Sequence, residues 1–148
     1  MKRRWALLAV SVLGAFLVSL ILPRFRVSSE KTAMVSWYGG IFHGRTTASG
    51  VPYNMLALSA ASPELPLGSR VRLIDPDSGR AVIVTINDRG PYAVDDRGEA
   101  IQPLRPHPER RFDLSLAAAR KLGMVSRGVK KVNYQVLTSQ SLPLDDGG

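Results

Sequence analysis

Arg70-Val71-Arg72-Leu73-Ile74-Asp75-Pro76-Asp77-Ser78-Gly79-Arg80-Ala81-Val82-Ile83-Val84-Thr85-Ile86-Asn87-Asp88-Arg89-Gly90-Pro91-Tyr92 is the stretch whose reading decides the fold. From Ser69 to Ile74, Val71 and Leu73 fall on one face and Arg70, Arg72 and Ile74 on the other. Alternation of this kind marks a strand with one buried face. Asp75-Pro76-Asp77-Ser78-Gly79 reads as a hairpin connector: proline presets φ, aspartate bonds nearby backbone, and glycine accepts the left-handed region. Arg80 to Ile86 continues as a β-branched strand, which Asn87-Asp88-Arg89-Gly90-Pro91-Tyr92 breaks sharply. Asp88 is left at the end of an apolar strand.

Working outward, residues 33–38 read as a strand closed by Gly39-Gly40, and Phe42 to Gly50 as a long shaped loop without helical period. Leu56 to Ala61 is a short apolar segment of either type, and Leu65-Pro66-Leu67-Gly68 is a turn. Residues 93–111 carry charges and prolines without period; a connection of that length reads as a functional lid or a mobile insertion. Asp113-Leu114-Ser115 opens a helix that runs to Leu122, with Asp113 or Ser115 as cap and Gly123 as stop. Lys131 to Leu137 alternates as a last strand, and residues 138–148 form a polar tail. No repeat is visible. Short strands and frequent turns over residues 33–137 predict a mostly β domain with one or two short helices, closed into a small barrel because closure removes exposed edges.

Composition bounds the rest. The chain has 148 residues, room for one domain plus a tail, and carries a net charge of +8. Lys2, Arg3, Arg4, Arg24 and Arg26 flank the first apolar run; without them 15 basic residues face 12 acidic ones. The remainder forms no stripe interleaved with aromatics, so no nucleic-acid partner is expected. Absence of cysteine excludes disulfides, thiolate metal sites, a cysteine nucleophile and a lipid-modified N-terminal cysteine. With only His43 and His107 available, neither a metal nor a cofactor is expected. No serine sits in a Gly-x-Ser-x-Gly elbow.

Trp5 to Leu22 is an uncharged, largely apolar run preceded by Lys2-Arg3-Arg4 and closed by Pro23-Arg24. As a helix it reaches roughly 27 Å, close to the hydrocarbon thickness of a bilayer. Residues 1–26 are therefore read as a signal anchor or a cleaved signal peptide, residues 27–32 as a linker, and residues 33–137 as an exported domain. In the anchored reading, residues 5–22 contact inner-membrane lipid.

Asp88 is the first candidate for chemistry. A carboxyl group at a barrel mouth can donate and accept protons. The alternative is a turn residue whose side chain accepts backbone N–H groups.

Several blocks, in order, are similar to the rare lipoprotein A family: Ser36-Trp37-Tyr38-Gly39, Phe42 to Gly50, Leu65 to Gly68, Gly79-Arg80, Ile86 to Tyr92, and Asp113-Leu114-Ser115 followed by Ala117-Ala118-Ala119 and Leu122-Gly123-Met124. The resemblance covers residues 33–137 and implies a six-stranded double-psi β-barrel at the periplasmic face of a bacterial envelope. It further implies a lytic transglycosylase acting on peptidoglycan glycan strands, with cell-wall or division proteins as possible partners. Related barrels occur in expansins and in membrane-bound lytic transglycosylases that rely on one aspartate. Breaking the bond between N-acetylmuramic acid and N-acetylglucosamine needs a proton for the leaving oxygen and stabilisation of an oxocarbenium-like centre. The muramyl 6-hydroxyl then attacks, giving a 1,6-anhydro product.

Asp88 matches the family aspartate. Where the family carries a Glu, an Asp three residues later and a His, this chain has Val51, Asn54 and Ser62. Three readings stay open: Asp88 works alone, Glu64 substitutes for a lost acid, or the barrel binds glycan without cutting it. An interaction module unrelated to glycan has no supporting feature. Tyr38, Tyr53 and Tyr92 adjoin motif loops and are expected to stack on sugar rings; His43, Arg45 and Arg89 complete the expected substrate-binding set. The segment from Ala93 to Arg110 is longer than the family connection and is expected to cap the groove.

Overall fold

The computed structural model describes residues 25–139. The apolar run at residues 5–22 and residues 140–148 of the expected tail lie outside that range. Among the described residues no helix is long and apolar enough to cross a membrane.

Seven strands follow in chain order: β1 Phe25–Val27, β2 Lys31–Trp37, β3 Ser59–Ala61, β4 Arg70–Ile74, β5 Ala81–Asp88, β6 Arg110–Leu114 and β7 Val129–Ser139. They pair in the order β1-β7-β2-β6-β3-β5-β4, and β4 pairs back onto β7. Six strands thus close a ring, with β1 beside β7 outside it. The β2–β6 and β3–β5 pairs are parallel; β2–β7, β3–β6, β4–β5 and β4–β7 are antiparallel. Exchanging β2, β3 and β4 for β5, β6 and β7 maps this ring onto itself. The fold therefore carries a two-fold duplication of topology although the sequence shows no repeat.

Alternation fills the interior. Val71 and Leu73 of β4, Val84 and Ile86 of β5, and Phe112 and Leu114 of β6 are fully buried. Helix α1 (Leu116–Leu122) adds Ala118, Ala119 and Leu122. Of the two caps expected, Ser115 is the one used: its side chain accepts the Ala118 N–H at 3.3 Å. Gly123 ends the helix at φ +67, in the left-handed region.

Three elements differ from the sequence reading, and a fourth that it left open is settled. Asp113 belongs to strand β6, which spans residues expected to be loop and helix start. Its only strand signal is Phe112 and Leu114 two apart, and it holds an extended form because β2 and β6, then β6 and β3, pair on its two edges. Leu56 to Ala61 resolves into the short strand β3, and β2 begins at Lys31. Finally, the 93–111 segment is knit by its own backbone. Ala93 N–H bonds Arg105 O at 2.8 Å, Ile101 N–H bonds Ala93 O at 3.0 Å, and His107 N–H bonds Pro91 O at 2.9 Å.

One buried ion pair ties the β4–β5 connector to β7. Lys130 Nζ lies 2.6 Å from Asp75 Oδ2, with both side chains shielded from solvent. The bond from Lys130, seconded by that from the Ser78 hydroxyl, holds the Asp75 carboxyl down to about 2. The pair's contribution to stability is therefore complete above the unfolded aspartate value near 4 and is lost as pH falls from about 4 to about 2. Urea midpoints recorded from about pH 6 to about pH 2 should fall across that window, and Asp75→Asn should flatten the fall there.

Candidate functional site

Local irregularity, not alternation, aims Asp88. Ala60 pairs with Ile86, but Ala61 pairs with Asp88, so β5 carries one extra residue at this point. Regular pairing would place Asn87 beside Ala61. The bulge places Asp88 there, and bulges re-aim side chains in this way. Gly90 then turns the chain at φ +110.

On the other edge of β3, Ala61 pairs with Asp113, and Asp113 pairs with Ser36 of β2. Ser36, Asp113, Ala61 and Asp88 therefore form one row across four strands. Cross-strand neighbours in register project from the same face, so the two carboxylates flank an alanine methyl. Adjacent strands lie about 4.8 Å apart, which puts the two aspartate backbones roughly 10 Å from each other.

Asp88, Asp113 and Ala61 line a single open cavity of about 260 Å3, together with Tyr38, Phe42, Arg45, Thr46, Tyr53 and Arg89. The Thr47-Ala48-Ser49-Gly50 stretch serves as the clamp for Asp88. Thr47 Oγ1 donates to Val51 O at 2.6 Å and Ser49 N–H bonds Asn87 O at 3.0 Å, which seats the loop on the end of β5. Ala48 N–H and Arg89 N–H then both bond Asp88 Oδ1 at 2.9 Å. Asp88 Oδ2 keeps no protein donor among the described residues. Asp113 is held differently, accepting the Ser36 hydroxyl and standing 3.7 Å from Arg110 Nη1, which itself donates to Ser36 Oγ at 2.9 Å.

Aromatic packing builds one wall. Tyr38 stacks on the buried Tyr53 with centroids 4.3 Å apart, and the Tyr53 hydroxyl donates to Tyr38 O at 3.0 Å. Phe42 meets Tyr38 edge-on at 5.9 Å, and the Arg45 guanidinium sits 5.3 Å over the Phe42 ring. The Tyr38 hydroxyl is buried without a hydrogen-bond partner among the described residues. Burial, followed by the negative charges of Asp88, Tyr53 and Asp113, pushes its pKa up.

Of the expected site residues, the fold brings Asp88, Tyr38, Arg45, Tyr53 and Arg89 to this cavity. His43 and Tyr92 do not line it. The exposed His43 accepts the Met55 N–H on Nδ1 at 3.2 Å, and Tyr92 bridges to Pro106 on the 93–111 segment. Arg89 makes no ion pair with Asp88; its Nη1 donates to Ser62 O at 3.0 Å and Leu65 O at 2.6 Å, fixing the turn that ends at Gly68. No residue from 90 to 110 lines the cavity, so that segment does not cap it. Sequence reasoning missed Phe42, Thr46, Ala61 and Asp113, and of these Asp113 is the one that carries a titratable group. Its position just before Leu114-Ser115 was legible as a helix cap, and nothing local shows that Ala61 stands between it and Asp88.

Among the described residues no three His, Asp or Glu side chains converge on a metal-sized point. The available chemistry is that of two carboxylates in a polar, aromatic-walled trough.

Residues 30–134 match a family model described as lytic transglycolase. The chain belongs to this family, the rare lipoprotein A type. Relatives named endolytic peptidoglycan transglycosylase include one from Neisseria meningitidis serogroup A, 42% identical over 124 residues, which covers 82% of this chain and 46% of the relative. Another, from Vibrio cholerae, is 37% identical over 108 residues, covering 73% of this chain and 36% of that protein. One from Aquifex aeolicus, named as a probable enzyme of this kind, is 45% identical over 102 residues, covering 69% of this chain and 39% of the relative. The chain thus spans less than half the length of these curated relatives.

Two solved structures share the fold. Streptomyces papain inhibitor has a TM-score of 0.53 at 21% identity, with 78% of this chain and 99% of that chain covered. An expansin from Clavibacter michiganensis has a TM-score of 0.50 at 20% identity, covering 77% and 53%.

At the three positions where this rare lipoprotein A member departs from the expected acidic and histidine residues, two side chains bond nearby backbone and one is exposed. Val51 is exposed. Asn54 Oδ1 accepts the Leu56 N–H at 2.9 Å, and the buried Ser62 Oγ accepts the Leu65 N–H at 3.2 Å. Glu64 does not line the cavity and pairs with Arg111.

Proposed function

We propose that this chain is a peptidoglycan lytic transglycosylase that cleaves the glycan bond between N-acetylmuramic acid and N-acetylglucosamine, leaving 1,6-anhydromuramyl ends, with Asp88 as the acid and then the base. The observation that carries the reading is the asymmetric holding of Asp88. Oδ1 is fixed by two backbone N–H groups while Oδ2 has no protein partner among the described residues, in a residue that lines the cavity. A carboxyl group held this way can deliver a proton to the leaving oxygen and recover one from the attacking hydroxyl. Family membership and the names of the relatives support the substrate class. Tyr38, Phe42 and Arg45 form the sugar-binding wall; Tyr53, expected from sequence to stack on a sugar, is buried and supports Tyr38 from behind. Export to the periplasmic face, through a signal anchor or signal peptide in residues 1–26, places the domain beside this substrate.

Incubation of the purified chain with denuded sacculi, followed by mass spectrometry, should release fragments with 1,6-anhydromuramyl ends. Failure to find them, with binding retained, would establish the second reading. That reading, a barrel that binds glycan without cutting it, is favoured by one observation: Val51, Asn54 and Ser62 supply no proton-transfer group to the cavity.

Ala61 gives a steric test of where the glycan lies. It is a buried methyl on the cavity floor between the two aspartates. Ala61→Leu should weaken co-sedimentation with denuded sacculi by about tenfold or more while the circular dichroism spectrum stays that of wild type.

A further inference from the structure

We infer that Asp113 is the second catalytic carboxylate of this site, set across Ala61 from Asp88 to hold the positive charge that develops on the sugar. The inference rests on the lytic reading above and assigns the half of the reaction that Asp88 leaves uncovered.

Three observations carry it. The strand register places Asp113 and Asp88 on either side of Ala61, in one row. Both side chains line the same cavity, and the charges of both reach the buried Tyr38 hydroxyl, so the three polar groups surround a common volume. Their surroundings also differ in the sense that the chemistry needs. Asp113 is gripped by the Ser36 hydroxyl and the Arg110 guanidinium, which fix the position of its carboxyl group. Asp88 has an oxygen open for proton exchange.

The step balances with these two groups. Protonated Asp88 gives its proton to the glycosidic oxygen as the bond from that oxygen to C1 breaks. The electron pair leaves with the oxygen, and the charge left on C1 and the ring oxygen faces the Asp113 carboxylate. The muramyl 6-hydroxyl then bonds to C1 and releases its proton to Asp88. Asp113 neither gains nor loses a proton. Its effect is electrostatic and is strongest in the transition state.

The test uses the full chain and two ligands of different charge. Affinities are measured by calorimetry for a cationic iminosugar carrying an N-acetyl group, which imitates the charged sugar, and for a neutral chitotetraose. Asp113→Asn should lower affinity for the iminosugar by about tenfold or more and leave that for the neutral sugar within about twofold. Equal losses for both ligands, or no loss for either, would overturn the assignment. Arg110→Gln, which removes the competing cation, should raise iminosugar affinity a few-fold, and serves alone if Asp113→Asn does not fold; no change in Arg110→Gln would then count against the assignment. The sacculus digest is kept separate. Wild type without anhydro ends defeats the lytic reading and with it the catalytic role of Asp113, whereas anhydro ends from wild type together with an unchanged iminosugar preference in Asp113→Asn defeat the Asp113 assignment alone.

Discussion

Asp88→Asn should reduce the release of 1,6-anhydromuramyl ends from denuded sacculi by about 100-fold or more, the scale of a lost general acid and base. The amide has the same shape and its oxygen still accepts the Ala48 and Arg89 N–H groups, so the loop that carries Thr47 to Gly50 stays seated on β5. Binding of glycan should therefore change little. That split separates a chemical role from the turn-forming role which the same residue also plays, because a turn residue alone would leave the rate unchanged. Parallel loss of binding and of product, together with a lowered melting temperature, would instead mark Asp88 as structural.

Phe112→Ala should be the costliest single change in the barrel, about 3–5 kcal/mol, because a fully buried ring is replaced by a methyl in a site that cannot collapse. Phe112 meets Tyr134 edge to face, with centroids 5.1 Å apart. Strands pair on both edges of β6, so the backbone has little room to close the gap. A fall in melting temperature of roughly 10–20 °C follows for a domain of this size. Phe112 immediately precedes Asp113, so the loss also loosens the strand that presents the second carboxylate. Cleavage measured well below the new midpoint should be reduced as well. A loss within about 1 kcal/mol would show that the core repacks and that β6 is held by its backbone pairing alone.

The β4–β5 hairpin was legible because its information is local: alternation over Arg70 to Ile74, a Pro-Asp-Gly connector, and a β-branched return strand. Ser115 and Gly123 were legible for the same reason, since a cap and a stop act within one helical turn. Strand β6 was not. Arg110 to Leu114 has no strand propensity to speak of, and its extended form is imposed by neighbours far away in the chain. The 93–111 segment misled in another way, because length and proline content look alike in a lid and in a segment braced by its own backbone bonds. Arg89 reads as a charge beside a carboxylate, yet its guanidinium is used on the carbonyls of Ser62 and Leu65.

The sequence by itself determined the class of the domain, the hairpin at its centre, the family and the aspartate at the end of β5, since each is written in short patterns of residue type. Tertiary structure alone decided what surrounds that aspartate. The extra residue in β5 turns Asp88 toward Ala61, the register of β3 on β6 brings Asp113 to the opposite side, and neither strand pairing can be read from one chain segment. Register is a relation between strands far apart in sequence, so only closure of the barrel fixes which two carboxylates share a trough.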